Sequence, residues 1–594
     1  MDINMKTLSL CIIVKNGEKY IEQCIESVFQ AVSEVIVVDT GSTDNTLACI
    51  QRFHPQIFHY EWDDNFADAR NFSLQQATCD FILVLDADEV LYPEDLPKLI
   101  ALLETTTADG ISILFHNFTD EKSEEIFNTH IGLRLFKNGC FHYEGAIHEQ
   151  LTFNQTEKKP FLEISELRLK HYGYLKSNAG LKKHNRNIPI LQTMLDKNPN
   201  DAFHLFNMGN EYMSLEDYTK ALDYFEKADQ HKDISMAYSP HLIYRRATCL
   251  HNMKRNEESL TVLADGLRCY PACTDMEYLR GIILKKMKRF TLALDSFNKC
   301  LSMGEPPPTL HFFNETSNFR PLIEMAKIYF LMDDYNKSLD CYMKAMRANG
   351  KKYHVIYEIG KVLNKILADR DRVAENLRNL YADHRFKANV MVTTDVLLNE
   401  RMPEQARSEF EEYMNEDGNL DADIYFLRGR LLFCNKEYEK AFKSFAECIA
   451  SDTLKGILPN ARSRSFEYMT ACCVLCRQLK DDFLSIARTV EEKTERIIYL
   501  AFIEAHGEPL EKESLSTIAS VLSIVLSTNE YQVFEDVLSI LNLVEGDEAL
   551  LALAEVYYHN NYHDMAVKTI LRSVKELDCI NSTAVSILNK EFIL

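Results

Sequence analysis

Phe81-Ile82-Leu83-Val84-Leu85-Asp86-Ala87-Asp88-Glu89 is the stretch on which the fold turns. Five apolar residues run straight into two carboxylates one residue apart. A continuous apolar run of this length predicts a strand buried on both faces. The acids then lie at its carboxyl end, where open α/β sheets bind ligands. In an extended chain, residues i and i+2 point to the same side, so Asp86 and Asp88 are expected to converge. Two carboxylates there can hold one hard cation, and such a cation can clamp a diphosphate. For an Asp-x-Asp alone, a solvated strand-end turn explains the residues as well. The neighbours decide.

Upstream, short apolar runs alternate with helix-like segments, the pattern of a βαβ sheet over residues 1 to about 178. Leu8–Val14 is the first expected strand and leads into Asn16, Gly17 and Glu18. Tyr20–Phe29 carries Ile21, Cys24, Ile25 and Val28 at helical spacing. Val35–Val38 is a second strand ending at Asp39, followed by Thr40-Gly41-Ser42-Thr43-Asp44, whose small capping residues open the next helix. No Gly-x-Gly-x-x-Gly follows either strand, which argues against a nicotinamide or flavin dinucleotide. An acid at the second strand's tip can accept hydrogen bonds from a base or ribose, and equally can serve its own turn. Asp64-Asn65-Phe66-Ala67-Asp68-Ala69-Arg70-Asn71 then leads by a helix to the Asp86 strand. The Arg70 guanidinium suits phosphate oxygens, or an ion pair with Asp64 or Asp68.

Taken together, the Asp39 loop, the Asp64–Asn71 segment and Leu85–Glu89 resemble family 2 glycosyltransferases of the GT-A fold. The resemblance covers roughly the first 175 residues, with three motifs in the family's order. It implies a nucleotide-sugar donor, a Mg²⁺ or Mn²⁺ ion and inversion at the anomeric carbon. By that resemblance Asp39 contacts uracil or ribose, Asp86 the ribose and metal shell, and Asp88 the metal. Arg70 and Asn16 fall on the donor side. Gly17 departs from the family, where an acid often follows the Asn. Farther on, Gly145-Ala146-Ile147-His148-Glu149-Gln150 is similar to the family's acceptor-side loop, with His148-Glu149 in place of Glu-Asp. The general base maps onto Glu149, with Glu144 the rival. His171 matches the histidine that completes the metal shell, ahead of His148. Imidazole with carboxylate suits Mn²⁺ at least as well as Mg²⁺.

From about residue 200 a helical repeat takes over. Gly209, Tyr212, Ala221, Phe225 and Ala228 follow the tetratricopeptide pattern, and the register returns from Ala247, Gly281, Ala326, Gly429 and Ala554. Copies between 355 and 415 and between 460 and 545 are degenerate. Glu305 to Pro321 is expected to interrupt the array as a loop. Residues 179–199, with Lys182, Lys183, Arg186 and Asn187, form a bridging helix, and 200–594 a solenoid suited to an extended peptide or to self-association.

Composition narrows the class. At 594 residues two or more domains are expected. A net charge of −23 argues against nucleic acid and anionic membrane as partners. No apolar run reaches a membrane span, Ile518–Leu526 being the longest candidate. Sixteen scattered cysteines with no export signal point to reduced thiols in the cytoplasm. Cys473 and Cys476 lack a second pair and read as helix interior. The expected architecture is therefore an α/β GT-A domain followed by an all-α tetratricopeptide solenoid. It resembles transferases of the sublancin type, which modify Cys or Ser of peptides from a UDP-sugar such as UDP-glucose. A transferase for lipopolysaccharide or another surface glycan, and a non-catalytic repeat scaffold, are the alternatives.

Overall fold

A computed structural model describes residues 6–118, 126–155, 157–173, 179–349, 353–381, 386–416, 420–451, 456–487, 493–504 and 509–592. The chain divides into two compact units, Met1–Gly350 and Lys351–Leu594. Among the described residues no helix is long and apolar enough to cross a membrane. All sixteen cysteines are free.

The first unit is built on ten strands: β1 (Leu8–Val14), β2 (Glu34–Asp39), β3 (Gln56–His59), β4 (Phe81–Val84), β5 (Glu89–Leu91), β6 (Gly110–Phe118), β7 (Ile126–Lys137), β8 (Phe141–Glu144), β9 (Gln150–Phe153) and β10 (Leu162–His171). Eight form one sheet in the order β3-β2-β1-β4-β7-β6-β10-β5, and β8 pairs with β9. The half from β3 to β4 is parallel. Beyond β4 the neighbour β7 is antiparallel. Helices α1 (Ile21–Val28), α2 (Thr46–Cys49), α3 (Phe66–Gln76) and α4 (Leu96–Thr105) complete this part.

The expected strand at the centre is there, with all four residues of β4 buried. Phe81 and Leu83 join one core with Ile21, Ile25 and Leu99, while Ile82 and Val84 join another with Leu74 and Tyr143. Period-two alternation thus sends adjacent apolar side chains into two separate cores, which is why the run has no polar member. The extension expected through Asp86 and Asp88 does not hold. Glu89 N donates to Asp86 O at 3.0 Å and Asp86 N donates to Glu89 Oε2 at 3.0 Å, so the acids sit in a turn. The two carboxylates consequently face different partners.

Helices α5 (Ala179–Lys197), α6 (Ala202–Ser214) and α7 (Tyr218–His231) continue the unit. The repeat register has a steric basis. A Cβ added at Gly209 would lie 2.5 Å from the buried Phe225 ring, and at Gly281 2.6 Å from Phe297. Glycine here is demanded by close approach of the following helix, sixteen residues on. Gly209→Val is expected to cost about 1–3 kcal/mol by overpacking. Urea unfolding with Phe225→Leu in the same chain should recover part of the loss.

The interruption is shorter than expected. Helix Thr274–Lys286 is followed by Phe290–Met303, and the next helix, Phe319–Leu331, begins before Pro321. Pro321 occupies its first turn, where a missing N–H breaks no intrahelical bond. The intervening loop is tied to the buried Asp275, which accepts from Phe313 N at 3.2 Å and from Thr316 Oγ1.

In the second unit paired helices run from His354–Ile366 to Ser582–Phe592, including both stretches with degenerate sequence. Gly429 there meets Phe445 as Gly209 meets Phe225. Cys473 lies inside helix Ala461–Leu475 as expected, whereas Cys476 caps it and is not helix interior.

Candidate active site

The site forms at the carboxyl ends of β1, β2 and β4, where the parallel half of the sheet opens. Its centre is a chain of ions. Arg70 is buried on α3, which packs on the sheet through Ala67 and Ala69. Its Nη2 lies 2.6 Å from Asp86 Oδ1, and its Nε lies 2.5 Å from Glu149 Oε1. The partners are therefore Asp86 and Glu149, and the alternative pairing with Asp64 or Asp68 does not occur. Arg134, from β7, reaches Glu89 Oε1 at 2.7 Å and Asp86 Oδ2 at 3.5 Å. Burial opposes ionisation of Asp86, but Arg70 and Arg134 outweigh it and hold the carboxyl well below its usual range. Burial raises the neighbouring Glu89, with Arg134 pulling it back and the charge of Asp86 adding to the rise.

These shifts carry a pH signature. A depressed carboxyl stabilises the fold above its unfolded value, about 3.9 for Asp, and the contribution is lost as pH falls towards the lower folded value. Glu89 acts with the opposite sign, its share declining as pH rises through its raised value. Urea midpoints of the full chain should therefore drop below about pH 4. Asp86→Asn should flatten that drop.

Asp88 faces the other way. Pairing of β5 with β10 sets Glu89 opposite His171, and pairing of β6 with β10 sets His171 opposite Asn117. His171 Nδ1 lies 2.7 Å from Asn117 Oδ1, and Nε2 lies 3.9 Å from Asp88 Oδ1. With Nδ1 turned to Asn117, Nε2 is the ring nitrogen left facing Asp88. A Cβ at Gly173 would fall 2.6 Å from that nitrogen and 3.0 Å from Asp88 Oδ2, so glycine keeps the space between them open. His148 is elsewhere, its Nε2 3.9 Å from Glu211 Oε1 on α6.

Asn16 and Asp39 hold the loop between them. Asn16 Oδ1 accepts from Thr43 N at 2.8 Å, and Asp39 Oδ1 accepts from Ser42 N at 3.1 Å. Gly41 follows with φ of +101°, open to glycine alone at little cost. At Gly17 a Cβ would meet Val14 at 2.8 Å and Ala87 at 3.2 Å, which accounts for the missing acid. Glu144 is exposed on β8 and accepts from Thr152 Oγ1 at 3.0 Å, with His142 Nε2 3.1 Å away. Its partners are His142 and Thr152, whereas Glu149 belongs to the ion chain.

The family description Glycosyl transferase family 2 matches residues 9–163, and Tetratricopeptide repeat matches 205–230 and 319–352. The SPbeta prophage-derived glycosyltransferase SunS of Bacillus subtilis is 30% identical over 286 residues, covering 47% of this chain and 67% of that protein. The chain belongs to the family 2 glycosyltransferases. It is an enzyme of that class with a repeat region attached. Within the family, the lipopolysaccharide core biosynthesis glycosyltransferase LpsC of Rhizobium meliloti is 32% identical over 155 residues, 24% of this chain and 56% of its own. Residues 1–349 of Staphylococcus aureus TarS align at a TM-score of 0.23 and 15% identity, over 41% of this chain and 88% of that structure, a likeness that carries no argument.

For this family 2 transferase the residues present suit a divalent ion. Among the described residues no three His, Cys, Asp or Glu are grouped to cage a metal. Mg²⁺ needs no such cage, since it keeps several waters and takes one or two carboxylates together with substrate phosphates. Asp88 could supply one such carboxylate, with His171 across the gap kept by Gly173. Near Asp86, Arg70 Nη1, Arg134 Nε and Tyr143 Oη are buried without a hydrogen-bond partner among the described residues. Donors of this kind fit an anionic ligand. Arg134 and Tyr143 carry no role in the sequence reading. The available signal was an arginine inside the otherwise apolar run Ile131–Phe136.

Proposed function

We propose that the protein is an inverting, divalent-dependent transferase moving a hexose from a UDP-sugar, UDP-glucose first among them, to a Cys or Ser side chain of a peptide. Residues 1–178 would bind donor, 179–199 bridge, and 200–594 present the acceptor, all in the cytoplasm. One observation carries the reading. The likeness to SunS spans 286 residues, more than the family 2 segment can supply, so it takes in part of the helical region.

In this reading Asn16 and Asp39 meet the nucleoside and Asp86 the ribose, while Arg70 turns Nη1 to the diphosphate. Asp88 and His171 would hold Mg²⁺ or Mn²⁺, which when bound offsets the charge of the departing diphosphate. Glu149 takes the acceptor's proton from the face opposite the leaving group, as inversion requires. Asp86 stays ionised throughout because two guanidinium groups flank it.

The similarity to LpsC favours a second reading, transfer to a surface glycan. Calorimetry of UDP-sugars with Mn²⁺ or Mg²⁺, followed by intact mass of peptide and glycan acceptors, separates the two. A hexose gained by a Cys or Ser peptide supports the first, and gain by glycan alone supports the second. No UDP-sugar bound with either ion overturns both.

A further inference from the structure

The segment that bears Glu149 is built as much from the helices as from the sheet. Gly145 and His148 both have positive φ, +97° and +54°. A left-handed histidine is a strained position that persists only where its surroundings over-determine it. Here they do. Ile147, on one side, is buried in a core with Ile190 and Leu191 of α5 and Leu205 and Phe206 of α6. Glu149, on the other, meets Arg70. Ala146 O accepts from Phe66 N at 2.8 Å, which fixes the loop to the start of α3, and the Arg186 guanidinium of α5 lies 4.8 Å over the Phe66 ring. Behind His148 stands Glu211 of α6, buried and gathering His184 Nδ1 at 2.5 Å and Asn187 Nδ2 at 2.8 Å as well as the His148 ring.

We propose that the α5–α6 hairpin is a working part of the transferase site, with Ile147 and Glu211 as positioning residues that fix the loop bearing Glu149. The inference rests on the reading of Glu149 as the base. A reacting group displaced by about 1 Å can lose on the order of 10²-fold in rate. The hairpin therefore sets kcat, in addition to any contact it makes with an acceptor. Donor affinity depends on it less, since Asn16 and Asp39 are held within the sheet and its loops, and Asp86 keeps Arg134 as well as Arg70.

The test uses the full chain and two measurements. Ile147→Ala and Glu211→Ala should speed amide exchange in residues 146–150 about tenfold or more while leaving β1 and β4 protected. They should lower kcat for sugar transfer about tenfold to hundredfold with KM for donor unchanged. Ile147→Val and Glu211→Gln, which keep shape, should return both readouts most of the way to wild type. Unchanged exchange at 146–150 overturns the proposal, as does equally faster exchange throughout the sheet. So does a fall in donor affinity that matches the fall in kcat. The exchange result stands whether or not sugar is transferred, so a wild-type chain inactive with every donor would count against the proposed function alone.

Discussion

Asp88→Asn is expected to abolish divalent-dependent transfer and to leave the fold in place. The residue closes one side of the gap kept by Gly173, 3.9 Å from His171 Nε2, and its side chain is about one-third exposed. Asparagine preserves size and removes the charge that a hard cation requires. Loss of one preorganised electrostatic group costs about 10²–10³-fold in kcat, and loss of the ion with it costs more. Stability should stay within about 0.5 kcal/mol, because the side chain is about one-third exposed and asparagine keeps its shape. Transfer assays with and without EDTA check the first claim and urea midpoints the second. Wild-type rates in the variant without added metal would sink it.

Glu149→Gln should lower kcat by about 10²–10⁴-fold, the usual loss on removing a general base, while donor affinity stays near wild type. Glutamine keeps the shape and the acceptor oxygen facing Arg70 but takes no proton. The acceptor's own acidity then matters. A thiol of pKa near ~8.5 ionises without help at moderately alkaline pH, whereas a serine hydroxyl does not. Raising pH should partly rescue transfer to a cysteine peptide and hardly rescue a serine one. If kcat with a serine acceptor is unchanged, Glu149 is not the base, and Glu144 would be substituted next.

The parallel half of the sheet was legible because burial on both faces leaves an unbroken apolar run, as in Leu10–Val14 and Phe81–Val84. The turn at Asp86 was not, because local spacing says nothing of the reciprocal bonds between Asp86 and Glu89. Arg70 was visible as a site residue, but its partners were hidden. One of them, Glu149, comes from a loop whose position depends on α5 and α6. Arg134 was missed because a charge inside a strand declares itself only when its neighbours are known. Among the repeats, those with Gly and Phe sixteen residues apart stood out. Gly360 instead approaches Val396 of a helix farther along the chain, so the same packing logic leaves no recognisable register there.

The ladder between β5 and β10 also has a consequence during synthesis. Asp88 leaves the ribosome about 80 residues before His171, a delay of roughly 4–16 s at about 5–20 residues per second. The Glu149 loop waits longer, since α6, which buries Ile147, follows the sheet. A nascent chain thus displays β1, β2 and β4 well before Asp88 meets His171 or Glu149 is held against Arg70. On the roles proposed for Asp88, His171 and Glu149, a partly made chain would hold the strands of the donor side before it could transfer sugar.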